Sequence, residues 1–164
     1  MVAYTFRMPS GIPGTVHRVE HLTTEAQYSD PAAPFAAYGV GCKIGANGKL
    51  QPIGAGDAPA AFYGILVRPY PTQTASMTLG SSIPPTDGRA FDVARRGYVM
   101  VAVGTGSVPT KRGAVYVRIA AGGVGKPVGG FEAAADGANT ILVPNAEFMG
   151  PADASGNCEI AYNI

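Results

Sequence analysis

The stretch CEIAYNI at residues 158–164 alternates apolar and polar side chains over seven positions. The residues that would share one face of an extended chain are Cys158, Ile160, Tyr162 and Ile164. A period of two is typical of a half-buried β-strand. Because pairing within a sheet keeps a chain end from fraying, we expect this stretch to form a strand of the fold.

The composition favours many short strands joined by turns. The 164 residues include 23 Gly and 14 Pro, about twice the combined average usage of roughly 12%. Hydrophobic residues make up 46% of the chain, which argues against disorder. Long helices do not fit this frequency of glycine and proline, and a sheet protein does.

Other segments repeat the strand signal along the chain. Alternating or wholly apolar runs occur at 38–44, 61–68, 98–103 and 115–119, with two shorter runs at 140–143 and 146–149. The run at 61–68 is apolar on both faces, as in a central strand. Asn47-Gly48 lies between two strand candidates and predicts a hairpin in which both residues have positive φ. Residues 15–28 are predicted to form one or two strands, and only residues 132–136 could form a helical turn.

These segments predict roughly nine or ten strands in one all-β domain, a β-barrel or a jelly-roll-like sandwich. We assign residues 1–14 to an extended N-terminal arm, because Pro9 and Pro13 disfavour helix there. Residues 15–164 form the single β domain. The arm either docks on a partner or lies on its own domain. A polar, proline-rich segment at 72–90 is predicted to be a long loop.

The charge balance excludes several classes of function. The chain carries 12 basic and 11 acidic residues, a net charge of +1, with no basic block, so we expect no nucleic-acid partner. It has no apolar run of about 18 residues, so we expect no membrane span. Charged residues are only 14% of the chain, against an average of about 25%. We interpret this low surface charge as a sign that partners cover much of the surface.

No motif predicts catalysis, a cofactor or a metal. His17-Arg18-Val19-Glu20-His21 matches the H-x-x-E-H zinc pattern, which needs both histidines on one helix face. On a strand they would stand about 13 Å apart, so we interpret them as exposed strand residues. The run GGVGKP at 122–127 lacks the first glycine and the final Ser/Thr of a phosphate loop and is predicted to be a turn. Cys42 and Cys158 are interpreted as small buried hydrophobes.

Several segments resemble the structural cement, or head decoration, proteins of tailed bacteriophages, over almost the whole chain. The segments are MPSGIPG at 8–14, HRVEH at 17–21, YGVGCKI at 38–44, IGAGD at 53–57, YGILVRPYPTQ at 63–73, RRGYVMV at 95–101, KPVGGFEAAADGANT at 126–140 and GPADASGNCEIAYNI at 150–164. None is a catalytic signature, so their number and order carry the likeness.

The resemblance implies a small all-β protein without enzyme activity. Such a protein binds the outer surface of the mature capsid and clamps neighbouring major capsid subunits. It would be made in the host bacterial cytoplasm and would pair with itself as a dimer or a trimer. The candidate interface residues are Tyr4, Phe6, Met8, Ile12, Tyr70, Arg95 and Arg96. The alternative is a carbohydrate-binding or adhesin-like virion domain, against which the absence of tryptophan counts.

Overall fold

The computed structural model describes residues 11–69 and 83–164, which form nine β-strands and three short 3-10 turns. The strands are β1 (Thr23–Tyr28), β2 (Gly41–Ile44), β3 (Leu50–Pro52), β4 (Gly64–Leu66), β5 (Ala90–Ala102), β6 (Ala114–Arg118), β7 (Phe131–Glu132), β8 (Thr140–Phe148) and β9 (Asn157–Tyr162). The 3-10 turns are Val19–His21, Pro59–Ala61 and Gly137–Asn139. The all-β prediction is confirmed.

The strands form one antiparallel sheet in the order β3-β2-β4-β5-β9-β8-β6-β7, with β1 also paired to β5. β5 is 13 residues long, and its two halves pair with different strands. Its first half lies between β1 and β4, since Val93 pairs with both Glu25 and Leu66, and its second half pairs with β9. A backbone hydrogen bond of 2.9 Å from Gly41 to Gly129 joins β2 to the chain before β7, so the sheet curls toward closure.

Buried side chains form two clusters. The larger cluster contains Ile53, Phe62, Ile65, Ala94, Val99, Val101, Val115, Val117, Ile119, Phe131, Val143, Phe148, Cys158, Ile160 and Tyr162. The smaller cluster contains Phe35, Tyr38, Cys42, Leu50, Leu66, Phe91 and Val93. Neighbouring residues of β4, Ile65 and Leu66, belong to different clusters. Because successive strand residues point to opposite faces, β4 is covered on both faces, as its apolar run predicts.

The hairpin between β2 and β3 confirms the turn prediction but corrects its geometry. Ile44 pairs with Leu50, and the Gly48 N–H donates to the Gly45 carbonyl at 2.9 Å. Only Gly48 of the Asn-Gly pair has positive φ, at 73°. The Asn47 side chain instead accepts the Lys49 N–H at 3.1 Å and donates to Asp30 at 2.9 Å. The loop is therefore longer than the predicted two-residue turn.

Several predicted boundaries were wrong. β5 begins at Ala90, so it takes in the end of the predicted 72–90 loop and places the arginine pair at 95–96 in mid-strand. The segments at 140–143 and 146–149 are one strand, β8, because Asn145 takes a left-handed φ of 53° that bends the chain without ending it. Residues 132–136 form no helical turn, since Glu132 belongs to β7 and the 3-10 turn begins at Gly137.

Residues 11–14 contact the rest of the described chain. The Gly14 N–H donates to the Met100 carbonyl, and the Arg68 N–H donates to the Gly14 carbonyl, both at 2.8 Å. The Asn157 amide donates to the Gly11 carbonyl at 3.0 Å. Residues 1–10 lie outside the described ranges, so the division into an arm (1–14) and a β domain (15–164) stays a prediction.

Candidate functional site

The histidine motif does not form a metal site. Val19–His21 is a 3-10 turn and His17 lies in a bend before it. Both histidines are exposed, but the interpretation of them as strand residues was wrong for both, since the first strand begins at Thr23. The His21 ring packs edge-on against Tyr98 with centroids 5.7 Å apart, while His17 lies 3.5 Å from the Thr15 hydroxyl. Within residues 11–69 and 83–164, no group of three His, Cys, Asp or Glu side chains could hold a metal ion. No helix of this part of the chain is long and apolar enough to cross a bilayer.

A buried charge cluster lies where β6 meets β7. Arg118 is 2% exposed and Glu132 is 3% exposed, and the guanidinium donates to that carboxylate. Arg118 also donates to Asp136 at 2.6 Å, and Lys126 lies 3.5 Å from Glu132. The bond to Glu132 raises the pKa of Arg118, and the bond from Arg118 lowers the pKa of Asp136. Because these groups are paired with one another, the cluster anchors the chain around a cleft of about 480 Å³.

The sequence pattern does not reveal this cluster. Arg118 alternates with Val117 and Ile119 and so reads as a solvent-facing strand residue. The chain from Phe131 to Asp136 returns over it and buries it. A signal existed in the acids Glu132 and Asp136, but only knowledge of the β6–β7 pairing could assign them to Arg118.

Two loops beside that cleft carry exposed valines; we call them the valine loops, residues 104–108 and 122–128. The Thr105 N–H donates to the Gly125 carbonyl at 2.9 Å, and Gly123 and Lys126 exchange two backbone hydrogen bonds of 3.0 Å. Val124 is fully exposed at the tip. Val108 and Val128 are exposed as well. The only charge in these loops, Lys126, faces Glu132, so the loops form a well-held, nearly uncharged surface.

The arginine pair of β5 has divided roles. Arg95 lies over the Tyr63 ring, with its guanidinium carbon 3.7 Å from the ring centre, and its Nε is 3.6 Å from Glu25. The Tyr63 hydroxyl donates to Glu25 and accepts from the Gln27 amide at 3.1 Å. Burial raises the pKa of Tyr63, and the bond to Glu25 adds to the effect. Arg96 is exposed and makes no ion pair within the described part of the chain.

The other candidate interface residues are placed unevenly. Tyr4, Phe6, Met8 and Tyr70 lie outside the described residues. Ile12 is half-buried, and its carbonyl accepts both the N–H and the hydroxyl of Thr15. The interface role of all seven residues stays a prediction.

A second open cleft, of about 650 Å³, lies beside the bend of β8. Its lining includes the exposed apolar side chains of Leu142 and Ile164 and the ion pair of Arg112 with Glu147. β9 ends at Tyr162, two residues before the predicted end of that strand, which leaves Ile164 exposed. This cleft is a surface feature with mixed polarity and holds no cluster of titratable groups.

Comparisons with known proteins identify the family. No curated protein matches the chain. A chain in a solved structure described as "The capsid of Myoviridae Phage XM1" has the same fold, with a TM-score of 0.72 over 99% of this chain and 94% of that chain, at 18% identity. The family model for the XM1 gp53 minor capsid protein matches residues 1–162. The chain therefore belongs to the XM1 gp53 minor capsid protein family and is a capsid-associated structural protein.

Proposed function

We propose that this protein is a decoration, or cement, protein that binds the outer surface of the mature phage head and bridges neighbouring major capsid subunits without catalysing a reaction. The observation that carries the proposal is the match to a minor capsid family over nearly the whole chain. A structural role in a capsid also agrees with the sequence, which predicts strands and turns, has few charged residues and contains no catalytic motif.

The fold supports this proposal through its rigidity. Two clusters cover both faces of the sheet around β4, and the charge cluster at Arg118 anchors the valine loops. A bridging protein gains affinity when several modest contacts are held at fixed distances, because each contact raises the effective concentration of the next. The valine loops and β1 offer separate exposed surfaces on one rigid body.

The partners in this proposal are the major capsid protein and further copies of this chain, as a dimer or a trimer. The candidate residues of the N-terminal arm, Tyr4, Phe6 and Met8, would add apolar contacts to a neighbouring subunit. Because residues 11–14 hydrogen-bond to Met100, Arg68 and Asn157, an arm truncation that preserves the fold must end at residue 10.

Quantitative mass spectrometry of purified virions tests the proposal. We expect hundreds of copies, in a simple ratio to the major capsid protein. Purified protein added to heads that lack it should bind to saturation and raise the temperature at which they disrupt. A handful of copies, with no binding to such heads, would contradict the cement function and favour the carbohydrate-binding alternative, which a glycan array would then examine.

Surface location and the arm need separate measurements. Limited proteolysis of intact virions should cleave this chain before the major capsid protein if it lies outside. Deletion of residues 1–10 should weaken binding to heads that lack the protein, while the thermal transition of the isolated protein changes little. Unchanged binding by this truncation would remove the arm from the interface and leave the rest of the proposal in place.

A further inference from the structure

β1 is a strand without a buried face. Five of its six residues, from Thr23 to Tyr28, are exposed, and Gln27 is half-buried. Tyr28 alone is 70% exposed. Within residues 11–69 and 83–164 the strand itself pairs only with β5. At its end the outer edge is taken by β3, because Ser29 bridges Leu50 and the Asp30 N–H donates to the Leu50 carbonyl at 2.9 Å. The outer edge is therefore open in this part of the chain only before Tyr28. The hydrophobic effect therefore explains neither face of β1.

The backbone register identifies the groups on that free edge. The Ser29 N–H donates to the Arg89 carbonyl at 3.1 Å, in line with the pairing of Tyr28 with Ala90. In an antiparallel pair, hydrogen-bonded and non-bonded residue pairs alternate. The amides of Glu25 and Gln27 therefore point to β5, and those of Thr24, Ala26 and Tyr28 point away from it. Leu50 lies against this edge at Tyr28, so the groups without a partner among the described residues are those of Thr24 and Ala26. They lie about 7 Å apart, the two-residue repeat of a strand.

Among the described residues, the open part of this edge lacks the features that usually protect one. Proteins blunt exposed edges with proline, lysine, inward-pointing charges or a covering segment. β1 contains neither proline nor lysine, and its one charged residue, Glu25, is held by Tyr63 and Arg95. Its threonines and tyrosine favour extended structure. The strand is therefore suited to accept another strand.

The edge of β1 could pair with a second copy of this chain or with a strand of a different, larger protein. Charge and buried area distinguish between these two partners. If β1 of a second copy paired antiparallel along all six residues, Thr23 would face Tyr28 of that copy, which itself pairs with Ala90. Arg96 pairs with Thr23, so the residues side by side across the four strands would be Arg96, Thr23, Tyr28 and Ala90. None of them offers a carboxylate to Arg96. Six residues of edge also bury far less than the roughly 1,200 Å² of a stable interface. A strand from a larger chain that is held by other contacts fits better.

We propose that the free edge of β1 takes up an extended segment of a major capsid subunit, which adds a strand to the sheet and places a carboxylate against Arg96. This inference rests on the proposed function. Main-chain hydrogen bonds supply the affinity of such strand addition, and side chains supply its specificity. Tyr28 then covers the added strand at one end and Arg96 pairs with it near the other.

The first test is Ala26→Pro, with binding to heads that lack the protein measured by co-sedimentation. Proline removes the outward N–H of residue 26 and leaves the bonds of β1 to β5 in place, since proline is tolerated on the solvent side of edge strands. We expect binding weakened by about tenfold or more, the loss of one to two hydrogen bonds. The matched control Ala26→Thr keeps the N–H and should bind as the wild type does.

The outcomes separate the two proposals. Wild-type binding with equal binding of Ala26→Pro would overturn the strand addition and leave the cement function standing. No binding of the wild type would overturn both. Amide hydrogen exchange of the wild-type protein provides a measurement that needs no variant. On binding to heads, the amides of Thr24 and Ala26 should become protected, and unchanged exchange there would contradict the inference.

The charge prediction has its own test. Arg96→Gln should weaken binding by about fivefold and reduce its salt dependence, because it removes an ion pair at the rim of the interface. Lys111→Gln is the control, since Lys111 is exposed and makes no ion pair within the described residues. Equal weakening by both variants would indicate a general attraction and overturn the role of Arg96.

Discussion

β1 and β4 pair with the same stretch of β5 from opposite sides, yet they are held by different forces. All three residues of β4 are buried, with Ile65 in the larger cluster and Leu66 in the smaller one. β1 buries none of its six residues. Its contacts with the sheet are the backbone pairing to β5, the ion pair of Glu25 with Arg95 of β5, and the hydrogen bonds of Glu25 and Gln27 with Tyr63, which precedes β4.

The difference teaches that a strand's place in the sheet does not determine its contribution to stability. β4 stabilises the fold through apolar area removed from water, which is about 25 cal/mol per Å². β1 adds exposed hydrogen bonds of small net value. A chain can therefore carry a strand that matters little for folding and remains free for binding.

The largest expected effect is that of Ile65→Ala in β4. It leaves a cavity in the larger cluster and should lower the free energy of unfolding by about 2–5 kcal/mol. Urea unfolding followed by circular dichroism measures the change. A loss below about 1 kcal/mol would contradict the assignment of β4 as a main source of stability.

Gly64→Ala should come next. A Cβ at this position would lie 2.5 Å from the Ala94 carbonyl oxygen and 2.6 Å from a Val93 methyl, so β4 and β5 would have to move apart. We expect a loss of about 1–3 kcal/mol. Gly54→Ala is the matched control, since a Cβ there meets nothing within 4 Å. Equal stability of the two variants would show that the close β4–β5 approach carries no constraint.

Tyr63→Phe tests the polar contacts of β1. It removes the hydroxyl that joins Glu25 and Gln27 and should cost about 0.5–1.5 kcal/mol. Tyr28→Phe is the control, because that exposed hydroxyl makes no hydrogen bond in the described part of the chain. If both variants unfold at the same urea concentration, the Tyr63 contacts contribute nothing measurable.

The same variant has a pH signature. The pKa of Tyr63 is raised above 10.0 in the folded protein, so its contribution to stability is complete below pH 10 and is lost as pH rises through the folded pKa. The wild type should therefore lose more free energy of unfolding than Tyr63→Phe between pH 9 and 11. The raised pKa values of Tyr38 and Tyr162 should leave both proteins with some alkaline loss.

The smallest effect is expected for Thr24→Ala in β1. The side chain is exposed, so the change should stay within about 0.5 kcal/mol. Thermal unfolding monitored by calorimetry would detect a larger shift. If Thr24→Ala lowered the free energy of unfolding as much as Ile65→Ala does, β1 and β4 would contribute equally to stability, and the comparison would be wrong.

The parts of the fold that could be predicted from sequence are those in which a segment's own pattern determines its environment. The apolar run at 61–68 identified β4 as central, and the alternation at 158–164 identified β9. β7 has only two residues and exists because β6 pairs with it, so no local pattern could reveal it. The local pattern around Asn145 likewise predicts two strands. They form one strand, β8, because the residues after Asn145 pair with β9.

The candidate site was less predictable because it depends on contacts between distant residues. In the sequence, Arg95 and Arg96 are equivalent candidates. Tyr63, the residue before β4, distinguishes them, because its ring packs against Arg95 and leaves Arg96 exposed. The free edge of β1 follows from the sheet order, which periodicity does not contain. The four candidates outside the described residues stay predictions.

The two cysteines give each core cluster its own chemical reporter. Cys42 lies in the smaller cluster and Cys158 in the larger, both are buried, and burial raises the pKa of the Cys42 thiol. A buried, protonated thiol reacts slowly with a labelling reagent until its surroundings open. The labelling rates of Cys42→Ala and Cys158→Ala proteins, free and on heads, would therefore tell whether the capsid restrains the opening of one cluster, of both, or of neither.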